Sequence, residues 1–285
     1  MMGIGRRRNA AAAQDKDGAS PILATLGRLV LAVLVAVLLA FLFLPLISVF
    51  VSRNPLQLLA TLNTEIAYQA LVLSLETTFA ALLIIVVFGT PLAYWVAKSS
   101  FRGKRILEVA LQMPIVVPPA VAGVGLILVF GNLGLLGGAL SAFGVGVAFT
   151  WVAVVMAQVF ISAAFYVFAA RQAFEAVSDE LLAVSRTLGE TPWRTFVRIT
   201  VPLALPGLIS GAALSLARAL GEFGATIVFA GNLPGSTQTM PLAIYTALQS
   251  NFDVAVAISA LLLSVAFILL LLVGLVNRQQ RTLSS

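Results

Sequence analysis

From Val109 to Ala170 the chain carries no Asp, Glu, Lys or Arg. The hydrocarbon core of a bilayer is about 30 Å thick and takes about 20 apolar residues per helix, so this stretch alone can supply two spans and the loop between them. Charged side chains make up 10% of the 285 residues, against about 25% in soluble proteins. A water-soluble globular domain is thereby excluded. There is no Cys and no His, which removes disulfides, thiol chemistry and the usual zinc and haem ligands. No metal site, bound cofactor or redox chemistry is expected of this chain. The net charge of +6 could attract nucleic acid, but in a membrane chain Lys and Arg report orientation, and no nucleic-acid partner is expected.

Apolar runs bounded by charges place six spans, near residues 29–51, 68–97, 108–130, 147–170, 203–230 and 253–276. Residues 1–28 are polar and rich in small side chains, with Arg6, Arg7 and Arg8 ahead of Asp15, Lys16 and Asp17, which reads as a disordered tail. The first apolar run lies too far from the start, and continues too long, for a cleaved secretory signal. Residues 277–285 form a short second tail, too short for an added regulatory domain.

The basic residues lie to one side. Lys98, Arg102, Lys104 and Arg105 fall between spans two and three, and Arg171, Arg186, Arg194 and Arg198 between spans four and five. Of the 17 Lys and Arg, all but Arg53 and Arg218 belong to segments on that side. The positive-inside rule makes it the cytoplasmic one. The expected fold is an all-α integral membrane protein with six transmembrane helices and both termini cytoplasmic, in contact with membrane lipid.

The segment 171–202 is too structured for a simple turn. Ser178 can cap a helix whose first turn holds Asp179 and Glu180, and Gly189 can end it. Thr191 and Pro192 then read as the cap and first residue of a second helix. Leu181, Val184 and Leu188 form one apolar stripe, and Trp193, Phe196, Val197 and Thr200 another. A helix pair this small cannot bury both stripes by itself. They lie either against the ends of the chain's own spans and the lipid headgroups, or in a groove of a separate cytoplasmic protein, with the Arg and acidic residues as a polar rim.

Here the chain resembles a known family. Ala183 to Gly189, followed by Ile199-Thr200-Val201-Pro202, is similar to the EAA loop of binding-protein-dependent ABC transporter permeases. The glycine, the proline and their separation are retained, whereas Ala183 stands where that motif has its glutamate, and Val184 and Ser185 replace its two alanines. Glu180, one turn earlier, is the nearest carboxylate. The resemblance assigns contact with an ATPase subunit to Glu180, Ala183, Arg186, Gly189, Trp193, Arg194 and Pro202.

Span five holds Arg218 and Glu222 four residues apart, on one helix face in an otherwise apolar run. Ionisable groups in a span normally face the protein interior or a wet cavity. The pair is either a packing device or part of a conducting path, with Arg218 attracting an anion and Glu222 limiting the hold. Gly221 and Gly224 permit close helix contact. The polar, turn-forming sequence from Ala230 to Thr239 follows, then an apolar stretch, Met240 to Gln249, expected as a short re-entrant or interfacial helix. Together these motifs closely resemble the molybdate-type permeases of the sulfate and molybdate group, over about Tyr68 to Val276. Span three adds Pro114, Pro118, Pro119, Gly123 and Gly125, expected as an irregular helix in the wall of a path.

The resemblance implies a permease dimer made of two copies of this chain in the cell inner membrane, with spans two to six as its core. It further implies two cytoplasmic ATP-binding cassette ATPase subunits and an extracytoplasmic oxyanion-binding protein. The candidate pathway residues are Pro118, Pro119, Arg218, Glu222 and Thr226. This chain has no Gly-x-x-x-x-Gly-Lys-Ser/Thr loop, so it is expected to be no enzyme, the partner hydrolysing ATP. The cargo implied is molybdate or tungstate. The alternatives are a sulfate-type permease of the same kind, or an ion-coupled secondary anion transporter using Glu76 or Glu222.

Overall fold

The computed structural model describes residues 21–53 and 65–283, and most of the tail expected over 1–28 lies outside them. The chain divides into two units, residues 1–54 and 55–285. The described part of the first is one helix, α1 (Pro21–Val51), with Pro45 inside it. Ser48 donates its hydroxyl to the Pro45 carbonyl at 2.7 Å. The helix begins eight residues before the expected span, with Pro21 in the first position, where its missing N–H costs nothing.

The regular elements of the second unit are all helices among its described residues. Its longest elements are α2 (Glu65–Lys98), α6 (Trp151–Glu175), α9 (Val201–Leu220) and α12 (Phe252–Leu283). Helix α6 is the hub, packed on both α2 and α9. The contact faces are rich in small side chains, such as Ala70, Ala81 and Ala93 on α2 and Ala153, Ala157 and Ala164 on α6. In lipid there is no hydrophobic drive between helices, so close packing of small residues supplies much of the attraction.

With α1, five of the described helices are long and apolar enough to cross a membrane, and a bent pair makes a sixth where it is counted as one broken span. That pair corrects the expectation of one helix over 108–130. Helix α3 (Lys104–Val116) and α4 (Pro119–Phe130) meet at 109°. Pro118 forces Val117 out of helical conformation, to ψ 127°, while Pro119 is well placed as the first residue of the next helix. A second correction concerns 203–230. Helix α9 stops at Leu220, and after a break at Gly221–Phe223 the short α10 (Gly224–Phe229) begins. Gly224 sits so close to Pro119 that a Cβ would lie 2.7 Å from the proline ring, and Gly123 meets α10 in the same way. A Cβ on Gly221 would meet only the Ala217 carbonyl of its own helix, at 3.7 Å, so only Gly224 of the two glycines serves a contact between helices.

Helix α6 starts at Trp151, where the Thr150 hydroxyl accepts the Ala153 N–H at 3.3 Å. It continues beyond 170 to Glu175, so Arg171 belongs to the span and not to the hairpin. The hairpin consists of α7 (Asp179–Thr187) and α8 (Pro192–Thr195). No loop separates α8 from the fifth span. Residues Phe196–Thr200 form a wider turn, in which the Val201 N–H reaches the Phe196 carbonyl, and this leads straight into α9. Pro202 has no N–H to donate, and the widened turn before it absorbs the mismatch. Between α4 and α6 lies α5 (Gly137–Ala142). The stretch after Thr239 is α11 (Met240–Ser250), packed on α12 and α2. The last helix runs to Leu283 without a break at 276.

Candidate functional sites

The hairpin is held by its own caps and by two spans. Ser178 accepts the Glu180 N–H at 3.2 Å, and Thr191 accepts that of Arg194 at 3.3 Å. Gly189 has φ +85°, the left-handed geometry that ends a helix, and its N–H bonds the Arg186 carbonyl at 3.0 Å while that of Glu190 bonds Ser185 at 3.2 Å. Inside the hairpin, the buried Ser185 and Thr195 hydroxyls pair at 2.9 Å. From α2, Lys98 donates to the Val177 carbonyl at 2.8 Å and to Asp179 at 2.7 Å. This ammonium holds the Asp179 carboxyl below its usual range, first through the hydrogen bond and then through its charge. Arg171 bonds Glu108 at 2.6 Å, joining α6 to α3. The basic ends of α2, α3 and α6 thus lie together beside the hairpin.

The two apolar stripes have different fates. Phe196 and Thr200 turn inward, Phe196 against Tyr94 and Phe174 with ring centroids 4.7 and 6.2 Å apart. Leu181, Val184 and Leu188 stay outside, Leu188 at 79% exposure, and Trp193 is 71% exposed. Packing on the chain's own spans therefore fails for the first stripe and half of the second, which leaves the lipid headgroups or a separate protein to cover them. All seven candidate coupling residues, Glu180, Ala183, Arg186, Gly189, Trp193, Arg194 and Pro202, are exposed. Arg194 lies 3.8 Å from Glu190 and Arg198 3.5 Å from it, and no ion pair involves Glu180 among the described residues.

The second site is the break in the fifth span. Arg218 is in the last turn of α9, and its Nη1 lies 2.7 Å from Glu222 Oε2. The Glu222 side chain is 1% exposed and that of Arg218 30%. The other carboxylate oxygen accepts the Ala225 N–H at 2.8 Å, satisfying an amide at the start of α10 that has no intrahelical partner. Thr226 is fully buried behind them, and its hydroxyl has no hydrogen-bond partner. From α6, the amide of Gln158 donates to the Ala219 carbonyl at 3.2 Å and to Thr78 at 3.3 Å. Ser215 bonds the Ser162 carbonyl at 3.0 Å. Pro118 is exposed and Pro119 half-buried at the α3–α4 corner, brought to α10 through Gly224.

Sequence reasoning missed Gln158, Lys98, Ser185 and Thr195. Gln158 carried a usable signal, being the one amide side chain between Thr150 and Ala170. The other three had none, because their roles depend on which helices meet.

This architecture and its broken fifth span can be set against known proteins. Residues 89–284 match the family described as binding-protein-dependent transport system inner membrane component. The chain belongs to that family. It is a multi-pass inner membrane protein and a transport component. The chain is 40% identical over 234 residues to the molybdenum transport system permease protein ModB of Mycobacterium tuberculosis, covering 82% of this chain and 89% of that one. It is 43% identical over 188 residues to the protein of the same name from Escherichia coli K12, covering 66% and 82%. Among solved structures, it resembles a bacterial ABC transporter that imports alginate, with TM-score 0.70 and 17% identity, over 88% of this chain and 95% of that one. At that identity the likeness shows a shared ABC-permease fold.

Proposed function

We propose that this chain is the membrane subunit of an ATP-driven importer of molybdate. Its identity to molybdenum permeases across most of its length carries the cargo assignment. On this reading two copies form the path, and a soluble binding protein delivers the oxyanion to the outer side. Two ATPase subunits grip the hairpins and hydrolyse the ATP, this chain having no nucleotide site or cofactor of its own. The outward stripe of Leu181, Val184 and Leu188, with Trp193, supports that docking, since helix-in-groove recognition needs an apolar face left free. The ties through Lys98 and through the continuous α8–α9 helix carry a pull on the hairpin directly into two spans. ATP-driven closure of the partner would so favour one of two access states over the other.

Pro118, Pro119, Arg218, Glu222 and Thr226 are assigned to the wall of the path. The test is molybdate uptake into proteoliposomes that hold this chain with its ATPase and binding protein, in the absence of any ion gradient. Uptake only with internal ATP is the expected result. Uptake without ATP would replace the assignment with an ion-coupled carrier.

A further inference from the structure

The ion pair at the break of the fifth span has an arrangement that a plain packing device does not need. Glu222 is fixed: one oxygen holds the Ala225 N–H at 2.8 Å, the other meets Arg218 Nη1 at 2.7 Å, and the side chain is sealed from solvent. Arg218 is pinned on one side only. Its side chain remains 30% exposed, and among the described residues no acceptor bonds its remaining nitrogens. One turn earlier on α9 lies exposed Leu214, and exposed Gly221 follows just past the end of the helix. A guanidinium facing lipid from a span is costly, so its open side belongs to a wet cavity or to another protein surface.

We propose that Arg218 is a pass-through contact for the oxyanion, and that Glu222 is a fixed counter-charge that keeps the contact weak. This deepens the importer reading and rests on it. Arg218 offers planar, oriented N–H donors, the geometry that suits a tetrahedral oxyanion. A bare guanidinium in a site of reduced dielectric would hold a dianion firmly, because Coulomb attraction grows as water is excluded. With Glu222 beside it, the pair has no net charge, so the anion gains hydrogen bonds without a deep electrostatic well. A transporter needs that balance, since a cargo held too tightly does not leave. Burial of Glu222 keeps the carboxylate from repelling the anion by direct approach. Its bond to Ala225 prevents it from swinging away from Arg218.

The experiment compares the complete assembly in wild-type form with Glu222→Gln and with the double variant Arg218→Gln/Glu222→Gln. Glutamine can still accept the Ala225 N–H, so the break keeps its cap. Two quantities are read: equilibrium retention of radiolabelled molybdate by the purified permease, and ATP-driven uptake. Glu222→Gln is expected to retain molybdate at least about tenfold more tightly than wild type, with retention weakened by salt, and to lower both kcat and KM for uptake. The double variant leaves no uncompensated charge, so its folding does not depend on the pair. It is expected to insert normally, lose the added retention and take up molybdate with a raised KM.

Equal retention by wild type and Glu222→Gln overturns the proposal, as does a double variant with normal uptake per inserted molecule. If Glu222→Gln fails to fold, the KM of the double variant decides. A wild-type assembly that takes up no molybdate overturns the importer reading itself, and is distinguished by failing before any variant is compared.

Discussion

The hairpin at the basic end and the loop after α10 are both polar connections in the sequence, yet they are built in opposite ways. The outer loop pairs most of its polar groups within itself and with α2, Thr239 Oγ1 being buried without a partner. Thr237 takes the Leu233 N–H at 3.0 Å, Gln238 bonds Asn232 at 2.9 Å, and Asn232 bonds Thr246 at 2.8 Å. Thr237, Gln238 and Thr239 are buried, and the Met240 N–H is received by Ser74 of α2 at 2.7 Å. In the hairpin, polar atoms are paired inside, through Ser185 and Thr195, and apolar side chains are left outside. A connection that buries most of its polar groups leaves few apolar side chains to be covered. One that exposes leucine, valine and tryptophan leaves an apolar face free, which on the importer reading proposed above is the face that docks the ATPase subunit.

Substitutions can break this contrast. Gly189→Pro is expected to have the largest effect. Proline is confined to φ near −65°, whereas Gly189 is at +85°, and the N–H to Arg186 is lost as well. Co-purification with the ATPase should fall to background with membrane insertion unchanged, and unchanged co-purification would refute the docking role. Next come Leu188→Ala and Trp193→Ala, which remove exposed side chains. Each should weaken ATPase binding by about 2 kcal/mol, the size of an interface hot spot, measured by titration of the solubilised subunits. The melting temperature of the permease alone should stay where it is.

Thr237→Val reverses the pattern. It leaves the Leu233 N–H without its acceptor and should cost about 1–3 kcal/mol of stability, read as a lower melting temperature with ATPase affinity unaltered. The smallest effect is the acid sensitivity of the hairpin's tie to α2. Because Lys98 lowers the Asp179 carboxyl, the stabilising contribution is complete above the usual carboxylate range and is lost as pH falls through the depressed value. Hydrogen exchange of α7 should rise in that acid window, and Lys98→Gln should abolish the dependence.

Several features could be read from the chain as written. The caps at Ser178 and Thr191 and the stop at Gly189 are local chemistry, and they occur where the residue types put them. The broken third span was half legible. Two adjacent prolines announced irregular backbone, but whether a proline pair kinks a helix or turns it through 109° depends on what fills the corner, here Gly224 on α10. The break after Leu220 was not legible, because Gly221 and Phe223 leave the helical pattern of apolar residues intact. It is stabilised from elsewhere, by Gln158 on α6 taking the Ala219 carbonyl and by Glu222 capping the helix that follows. The orientation of the hairpin stripes was open for the same reason, since periodicity shows that a face exists and not what it meets.

The amino-acid sequence by itself determined that this chain lives in a membrane, which end is basic, and where the two short helices of the hairpin begin. These follow from hydrocarbon thickness, charge and backbone preference, all of which act within a few residues. The tertiary structure alone decided which polar groups are sealed and which stay reachable. Glu222 became a buried, capped carboxylate beside an accessible Arg218, and Leu188 and Trp193 stayed free while Phe196 was covered. Those outcomes depend on helices far apart in the chain meeting at a few ångströms, a condition that no local pattern encodes.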